Sequence, residues 1–255
     1  MKKKFVLGID IGGSGIKGAI VNTKKGKFKS KRYRIPTPEP ATPEAVVEVI
    51  KKIADHFEWS GVIGVGYPGV VQNGVVRTAA NLDDGWIDKN IAELIYKATG
   101  CQTFVLNDAD AAGTAEMKFG AGKDIDGVVS LITIGTGIGV VMFTGGKLVP
   151  NLELGHLLLH GDDAERYVSD ATRKADDLSW DQWAQRFNEY IERLESLTWP
   201  DLIILGGGAS KKDDLYLSEL TSNAKIVPAK LKNKAGIIGA AVYGRRKEKK
   251  LNKEI

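Results

Sequence analysis

Two glycine-rich turns, each closing a short apolar run and leading into another, constrain this chain more than any other feature. The first, Gly12-Gly13-Ser14-Gly15, lies between the runs Phe5 to Asp10 and Ile16 to Val21. The second, Gly135-Thr136-Gly137-Ile138-Gly139, lies between Val128 to Ile134 and Val140 to Phe143. Runs so short and so rich in β-branched residues read as strands, and glycine allows the backbone to reverse between them without steric cost. The turns are about 120 residues apart, roughly the length of one domain.

Strands and helices alternate after both turns. After the first, the lysine-rich Lys24 to Arg34 alternates like a solvent-facing third strand, and Pro36 to Pro43 reads as a linker. Thr42-Pro43-Glu44 is a helix start, and Val46, Val47, Ile50, Ile53, Ala54 and Phe57 recur at helical spacing. Gly61 to Tyr67 reads as a strand with Gly74 to Thr78 as its hairpin mate, and Asp88 as the cap of a helix ending at Gly100. Thr103 to Leu106 then reads as a buried strand that delivers Asn107 and Asp108 to its carboxyl end. A second cycle opens with a helix from Asp110 to Phe119 and the strands around the second turn. Ser179 to Gln182 reads as a capping box ahead of an aromatic stripe, Trp180, Trp183, Phe187 and Tyr190, which belongs to a core. Leu202 to Leu205 is a buried strand ending in Gly206-Gly207-Gly208, and a last helix runs from Ala235 to about Tyr243. The pattern predicts an α/β chain of duplicated domains with an interdomain cleft. The domains are 1–107, completed by a C-terminal helix 236–255, and 108–235.

Composition narrows the classes of function. With 43% hydrophobic and 27% charged residues the 255-residue chain is an ordinary folded protein. A net charge of +4, from 36 basic and 32 acidic residues, is too small to make the surface a general trap for nucleic acid. The single cysteine, Cys101, cannot form an internal disulfide or a cysteine zinc site, and reads as an inert buried thiol in a reducing compartment. Met1 to Lys4 leads straight into Phe5, leaving no room for an export signal, so a cytoplasmic location is expected. The uncharged stretch Gly127 to Gly146 is long enough to span a membrane, but its six glycines and its threonines read as two strands and a turn.

The chemistry gathers at the turns. Converging glycine N–H groups suit a phosphate, whereas a plain hairpin needs no ligand. Gly13-Ser14-Gly15-Ile16-Lys17-Gly18 matches a dinucleotide-binding spacing, but a strand rather than a helix follows it, and no acidic residue stands at the required distance. No P-loop motif is present. Asp10, closing an apolar strand beside such a turn, would be repelled by phosphate unless Mg2+, held mainly through water, lay between them. Of the carboxylates in Asn107-Asp108-Ala109-Asp110, Asp110 is expected to cap the helix and Asp108 to face substrate as a modest base. Glu153, His156 and Glu165 form a polar set that can pair with the donors and acceptors of a sugar. Mutual satisfaction of Glu153 and His156 remains open. His156 and His160, four residues apart, lack the cysteines or glutamate of a zinc site.

Gly8-Ile-Asp-Ile-Gly-Gly-Ser-Gly-Ile-Lys17, Leu106-Asn-Asp-Ala-Asp-Ala-Ala112, Thr133-Ile-Gly-Thr-Gly-Ile-Gly139 and Glu153-Leu-Gly-His156 resemble, in this order, the ROK family of sugar kinases and repressors. Tyr67-Pro-Gly-Val-Val71, Gly74 to Asn81, Trp199-Pro-Asp201 and Gly206 to Gly208 bring the likeness closest to that family's polyphosphate glucokinases, over Phe5 to Gly244. The resemblance implies an actin-like ATPase (ribonuclease H-like) fold and transfer of a phosphoryl group from polyphosphate, ATP or both to the 6-hydroxyl of glucose. Asp108 would be the base, with Asn81, Asn107, Glu153, His156 and Glu165 holding the other hydroxyls. Asp10, Gly12, Gly13, Ser14 and Lys17 would form one phosphate site and Gly135, Thr136 and Gly137 another, with magnesium between. Gly206, Gly207 and Gly208 would face a nucleotide base. A homodimer is also implied.

Many members carry a cysteine-rich zinc loop where this chain has Gly161-Asp-Asp-Ala-Glu165, so no zinc is expected. No DNA-binding segment precedes Phe5, which leaves repressor activity and nucleic-acid partners unsupported. Rival readings are an ATP-dependent hexokinase for mannose, fructose or an N-acetyl sugar, a sugar sensor without turnover, and a polyphosphate phosphatase. Three basic runs, Lys24 to Arg34, Lys211-Lys212 and Arg245 to Lys253, are candidates to guide a polyphosphate chain.

Overall fold

The computed structural model describes residues 4–79 and 82–254. Asn81 lies outside the described residues. In chain order the strands and helices are β1 (Phe5–Gly12), β2 (Gly15–Asn22), β3 (Lys27–Phe28), β4 (Tyr33–Ile35), α1 (Pro43–His56), β5 (Ile63–Tyr67), β6 (Val71–Gln72), β7 (Val75–Val76), α2 (Ile91–Thr99), β8 (Thr103–Asn107) and α3 (Asp108–Phe119). There follow β9 (Val128–Ile134), β10 (Ile138–Thr144), β11 (Lys147–Val149), β12 (Leu158–Leu159), β13 (Asp162–Asp163), α4 (Glu165–Val168), α5 (Asp170–Ala175), α6 (Trp180–Thr198), β14 (Leu202–Gly207), β15 (Lys225–Pro228) and α7 (Ala235–Glu254). The chain divides into two compact units, Met1–Ala115 with Lys234–Ile255, and Glu116–Asn233.

The two units repeat one topology. In the first the sheet order is β3-β2-β1-β5-β8, with β4 also on β2; in the second it is β11-β10-β9-β14-β15. Each sheet pairs its first long hairpin antiparallel and then adds two strands in parallel. Both glycine turns are therefore equivalent bends, and the fold is the mixed α/β architecture that the sequence implies.

In the first unit α1 is capped by Thr42, whose side chain accepts from Ala45 N, and its buried face is Val46, Val49, Ile50 and Ile53. Each of these contributes roughly 1.5–3 kcal/mol by leaving water. Helix α7 covers the sheet through Ile237, Ile238, Ala240 and Ala241, and reaches the backbone of β1 and β5 because Gly8 and Gly64 carry no side chain there. The helix runs past Tyr243, where its apolar pattern ends, through the basic residues to Glu254, in keeping with the expected C-terminal helix 236–255. Cys101 is 2% exposed and burial pushes its thiol up, as an inert core cysteine requires.

Three local expectations differ. Lys24 to Arg34 is not one strand: β3 and β4 pair separately with β2, and between them the Ser30 hydroxyl accepts from Ile20 N at 3.0 Å. Val75–Val76 pairs with Val71–Gln72 and not with β5, whose two edges are taken in parallel by β1 and β8. Asn90, not Asp88, caps α2 by accepting from Glu93 N at 3.1 Å. Asp88 has a positive φ of 62° and ion-pairs with Arg77.

The second unit packs Trp183, Phe187, Tyr190, Ile191 and Leu194 of α6 against Ile132, Ile134, Ile203 and Leu205 of the sheet. Ser179 and Gln182 form the expected capping box. Two carboxylates anchor this unit. Burial pushes Asp170 up, but Lys174 at 2.6 Å and Arg173 at 2.9 Å outweigh it and hold the group below its usual value. Burial likewise opposes Glu195, where bonds from Ser222, Ala224 N and Asn223 prevail and lower it. Groups lowered on folding bind fewer protons folded than unfolded, so the stability they contribute is complete above the unfolded value and is lost as pH falls through the folded one. The denaturation midpoint is therefore expected to fall progressively below about pH 5, and Asp170→Asn is expected to flatten that fall in a urea titration series.

Candidate active site

The first turn forms because β1 and β2 stay in register to their ends, pairing Gly12 with Gly15 and leaving Gly13 and Ser14 exposed at the tip. Two residues below, Asp10 and Lys17 are register partners, and their side chains meet at 3.6 Å. Burial raises Asp10, while Lys17 and then Arg32 act to lower it. The first turn of α7 stands beside it, with the Asp10 carboxylate close to Gly236. A helix N-terminus there favours negative charge. Among the described residues no three potential metal ligands cluster. The lone carboxylate Asp10 nonetheless fits a magnesium ion that keeps most of its waters and is shared with a substrate phosphate.

Asp108 stands at the other side of the same sheet edge. Gly66 of β5 is the register partner of Asp10, and the place of a Cβ on it is 3.5 Å from Asp108 Cα. Thus β1, β5 and β8 align Asp10, Gly66 and Leu106 in register, and Asp108, the first residue of α3, follows two residues past Leu106 with its Cα against Gly66. In open α/β sheets that edge is where ligands bind.

The cap of α3 is Asn107 and not Asp110. Its Oδ1 accepts from Ala109 N at 2.8 Å and from Asp110 N at 3.1 Å, while Nδ2 donates to Gly69 O at 3.2 Å. Asp110 is 2% exposed within the first turn of α3. Asn107 retains one Nδ2–H for a ligand. Asp108 Oδ1 accepts from Ala109 N at 2.8 Å, which orients a half-buried carboxylate.

In the second unit the turn after β9 is closed by Gly135 N donating to Gly137 O at 3.0 Å and is braced by Ala171 N donating to Gly135 O at 3.2 Å. The carboxylate of Glu165 lies against Gly137 and accepts from Ile138 N at 3.2 Å. Gly206 and Gly207 end β14 in register with Thr133 and Ile134, so the triple glycine lies alongside this turn. Glu165 also joins the polar set. Burial pushes Glu153 up, His156 lowers it and Glu165 raises it further. His156 Nε2 is 3.9 Å from Glu153, and Nδ1 is 3.1 Å from Asp163. His160 bonds Glu189 instead, at 2.6 Å, so the two histidines serve separate partners.

Two of these contributors were missed in the sequence. Asp163 belongs to the short β12–β13 hairpin, whose pairing of Leu158 with Asp163 brings the carboxylate to His156; the only signal was its place in Gly161-Asp-Asp-Ala-Glu165. Arg34 donates to Ser14 O on the first turn, a contact set by the β2–β4 register. Asp163 holding Nδ1–H leaves Nε2 to accept from a ligand. Because His156 and Asp163 are partly exposed, Asp163→Asn is expected to cost no more than about 1 kcal/mol of stability; a urea titration checks it.

The ROK family pattern matches residues 6–167. Polyphosphate glucokinase of Mycobacterium tuberculosis is 46% identical over 236 residues, 92% of this chain and 89% of that protein. The inorganic polyphosphate/ATP-glucomannokinase from Arthrobacter sp. strain KM superposes with a TM-score of 0.91 at 46% identity, over 95% of this chain and 99% of that one. A ROK family glucokinase from Streptomyces griseus, solved with glucose and AMPPNP, superposes with a TM-score of 0.82 at 25% identity, over 95% and 99% of the two chains.

Proposed function

The chain belongs to the ROK family, and from that premise we propose that it is a glucokinase that transfers a phosphoryl group from inorganic polyphosphate, and also from ATP, to the 6-hydroxyl of glucose. The observation that carries the proposal is that Asp10, in register with Gly66, and Asp108, packed against Gly66 at the head of α3, meet at the carboxyl edge of one sheet, with a glycine turn two residues beyond Asp10. Asp108 accepts the hydroxyl proton and, before that, aims the oxygen. Phosphoryl transfer has a loose transition state, so orientation matters more than early deprotonation, and an ordinary carboxylate suffices.

Glucose is held through its other hydroxyls by Glu153, His156 and Glu165, by the remaining Nδ2–H of Asn107, and by Asn81. The donor's terminal phosphates rest on the amides of Gly12, Gly13 and Ser14 with Lys17, and on those of Gly135, Thr136 and Gly137. Gly206 to Gly208 offer a flat backbone for adenine when ATP is the donor. Magnesium at Asp10 would neutralise charge on the transferred phosphate. The protein acts in the cytoplasm, a setting consistent with its one buried cysteine, as a homodimer.

A coupled assay for glucose 6-phosphate at fixed glucose tests the proposal, comparing polyphosphate with ATP. Product from polyphosphate is expected; product from ATP alone would reassign the protein as an ATP-dependent hexokinase. Mannose belongs in the same assay as a second acceptor, since the Arthrobacter neighbour is described as a glucomannokinase.

A further inference from the structure

A long polyanion needs a track as well as a terminal site, and one of the three basic runs reaches the first glycine turn. Register pairs Asp10 with Lys17 across β1 and β2, and Lys17 with Arg34 across β2 and β4. Directly opposed residues of antiparallel strands share a face, with strands about 4.8 Å apart, so Asp10, Lys17 and Arg34 form a row that crosses β1, β2 and β4 beside the first turn, toward the edge of the sheet. Arg34 is seated on that turn: its guanidinium carbon lies 2.6 Å from where a Cβ on Gly15 would be, and Nη2 donates to Ser14 O. The other N–H groups of this exposed fork remain for a ligand. Arg32, two residues before Arg34 along the chain, is near enough to act on the Asp10 charge.

Several cations of the C-terminal run are already engaged. On α7, Arg245 is paired with Glu248 and Lys250 with Glu254, and Lys247 lies over the Tyr243 ring. Among the described residues neither Arg32 nor Arg34 has a carboxylate within ion-pair distance. Unpaired cations in a row are what a chain of phosphates would neutralise, and Arg offers each phosphate a bidentate fork.

We propose that Arg34 and Arg32, lying past Lys17, form a track for the distal phosphates of a long polyphosphate, beyond the terminal phosphates held at the first glycine turn and Lys17. This rests on the glucokinase reading above. The track makes the enzyme favour long donors over short ones, because tripolyphosphate fills the turn and leaves the arginines unused.

The test compares Arg32→Gln, Arg34→Gln and the double variant with the parent, using long-chain polyphosphate and tripolyphosphate at saturating glucose. For the double variant, KM for the long chain is expected to rise about ten-fold or more, with KM for tripolyphosphate little changed. The slope of log KM against log salt is expected to fall by about one for each arginine removed. Equal losses with both donors would mean that Arg34 merely props the turn and would overturn the track; so would an unchanged ratio. In parallel, the rise in thermal midpoint caused by long-chain polyphosphate without sugar is expected to shrink in the double variant. If the parent makes no product from any polyphosphate, the glucokinase reading fails, and this binding measurement alone still decides whether the track exists.

Discussion

Asp108→Asn is expected to lower kcat for glucose phosphorylation by about a hundred- to ten-thousand-fold, the usual contribution of a positioned acid or base, with KM values close to those of the parent. Asparagine keeps the oxygen that accepts from Ala109 N, so the head of α3 and its Asn107 cap are retained. The variant loses the charge that draws the hydroxyl proton and aligns the oxygen. Steady-state kinetics with both donors, together with glucose binding followed by tryptophan fluorescence, separate the two effects. Full activity in the variant would remove Asp108 from the chemistry, and binding without turnover in both proteins would favour a sugar sensor.

Glu116→Ala is expected to destabilise the second unit by about 3–5 kcal/mol, since each buried donor left without a partner costs roughly 1–3 kcal/mol. Glu116 is fully buried, and its two oxygens accept from Ala121 N at 2.8 Å, Lys230 N at 3.2 Å and Leu231 N at 2.6 Å. Truncation strands three backbone donors and opens a cavity. Glu116→Gln retains the volume and one acceptor oxygen, so it falls between the alanine variant and the parent. Urea titrations followed by fluorescence of α6, which carries Trp180 and Trp183, measure both. A shift under 1 kcal/mol for the alanine variant would show that water replaces the carboxylate.

The repeated architecture was legible because its signals are local. Glycine turns between β-branched runs, Thr42 before Pro43, and the Ser179 capping box each act within a few residues, and the structure contains all of them. The departures arise where competing local choices were settled at a distance. Asn90 and Asn107 cap α2 and α3 because amide side chains reach N–H groups two and three residues on, whereas Asp88 is drawn to Arg77 and Asp110 is turned into the core. β7 turned to β6 because β5 had no free edge, which the sequence of Gly74 to Thr78 does not encode.

The site shows the same division. The backbone of both turns could be read from glycine spacing, and Asp10 from its place at a strand end. Asp163 and Arg34 could not, since each acquires its partner through strand register: Leu158 with Asp163 in one case, Lys17 with Arg34 in the other. Glu165 was assigned to the sugar, yet it also braces the second turn through Ile138 N, a contact made across 27 residues of sequence.

The most direct measurement of the central claim is a phosphorus NMR spectrum of the protein with polyphosphate, magnesium and either glucose or 6-deoxyglucose. With glucose, a phosphate ester coupled to the C6 protons is expected to grow as polyphosphate is consumed; with 6-deoxyglucose neither ester nor free phosphate is expected. Free phosphate released with 6-deoxyglucose or without sugar, or no ester with glucose, would contradict the claim that the carboxyl edge bearing Asp10 and Asp108 directs a sugar oxygen at phosphorus.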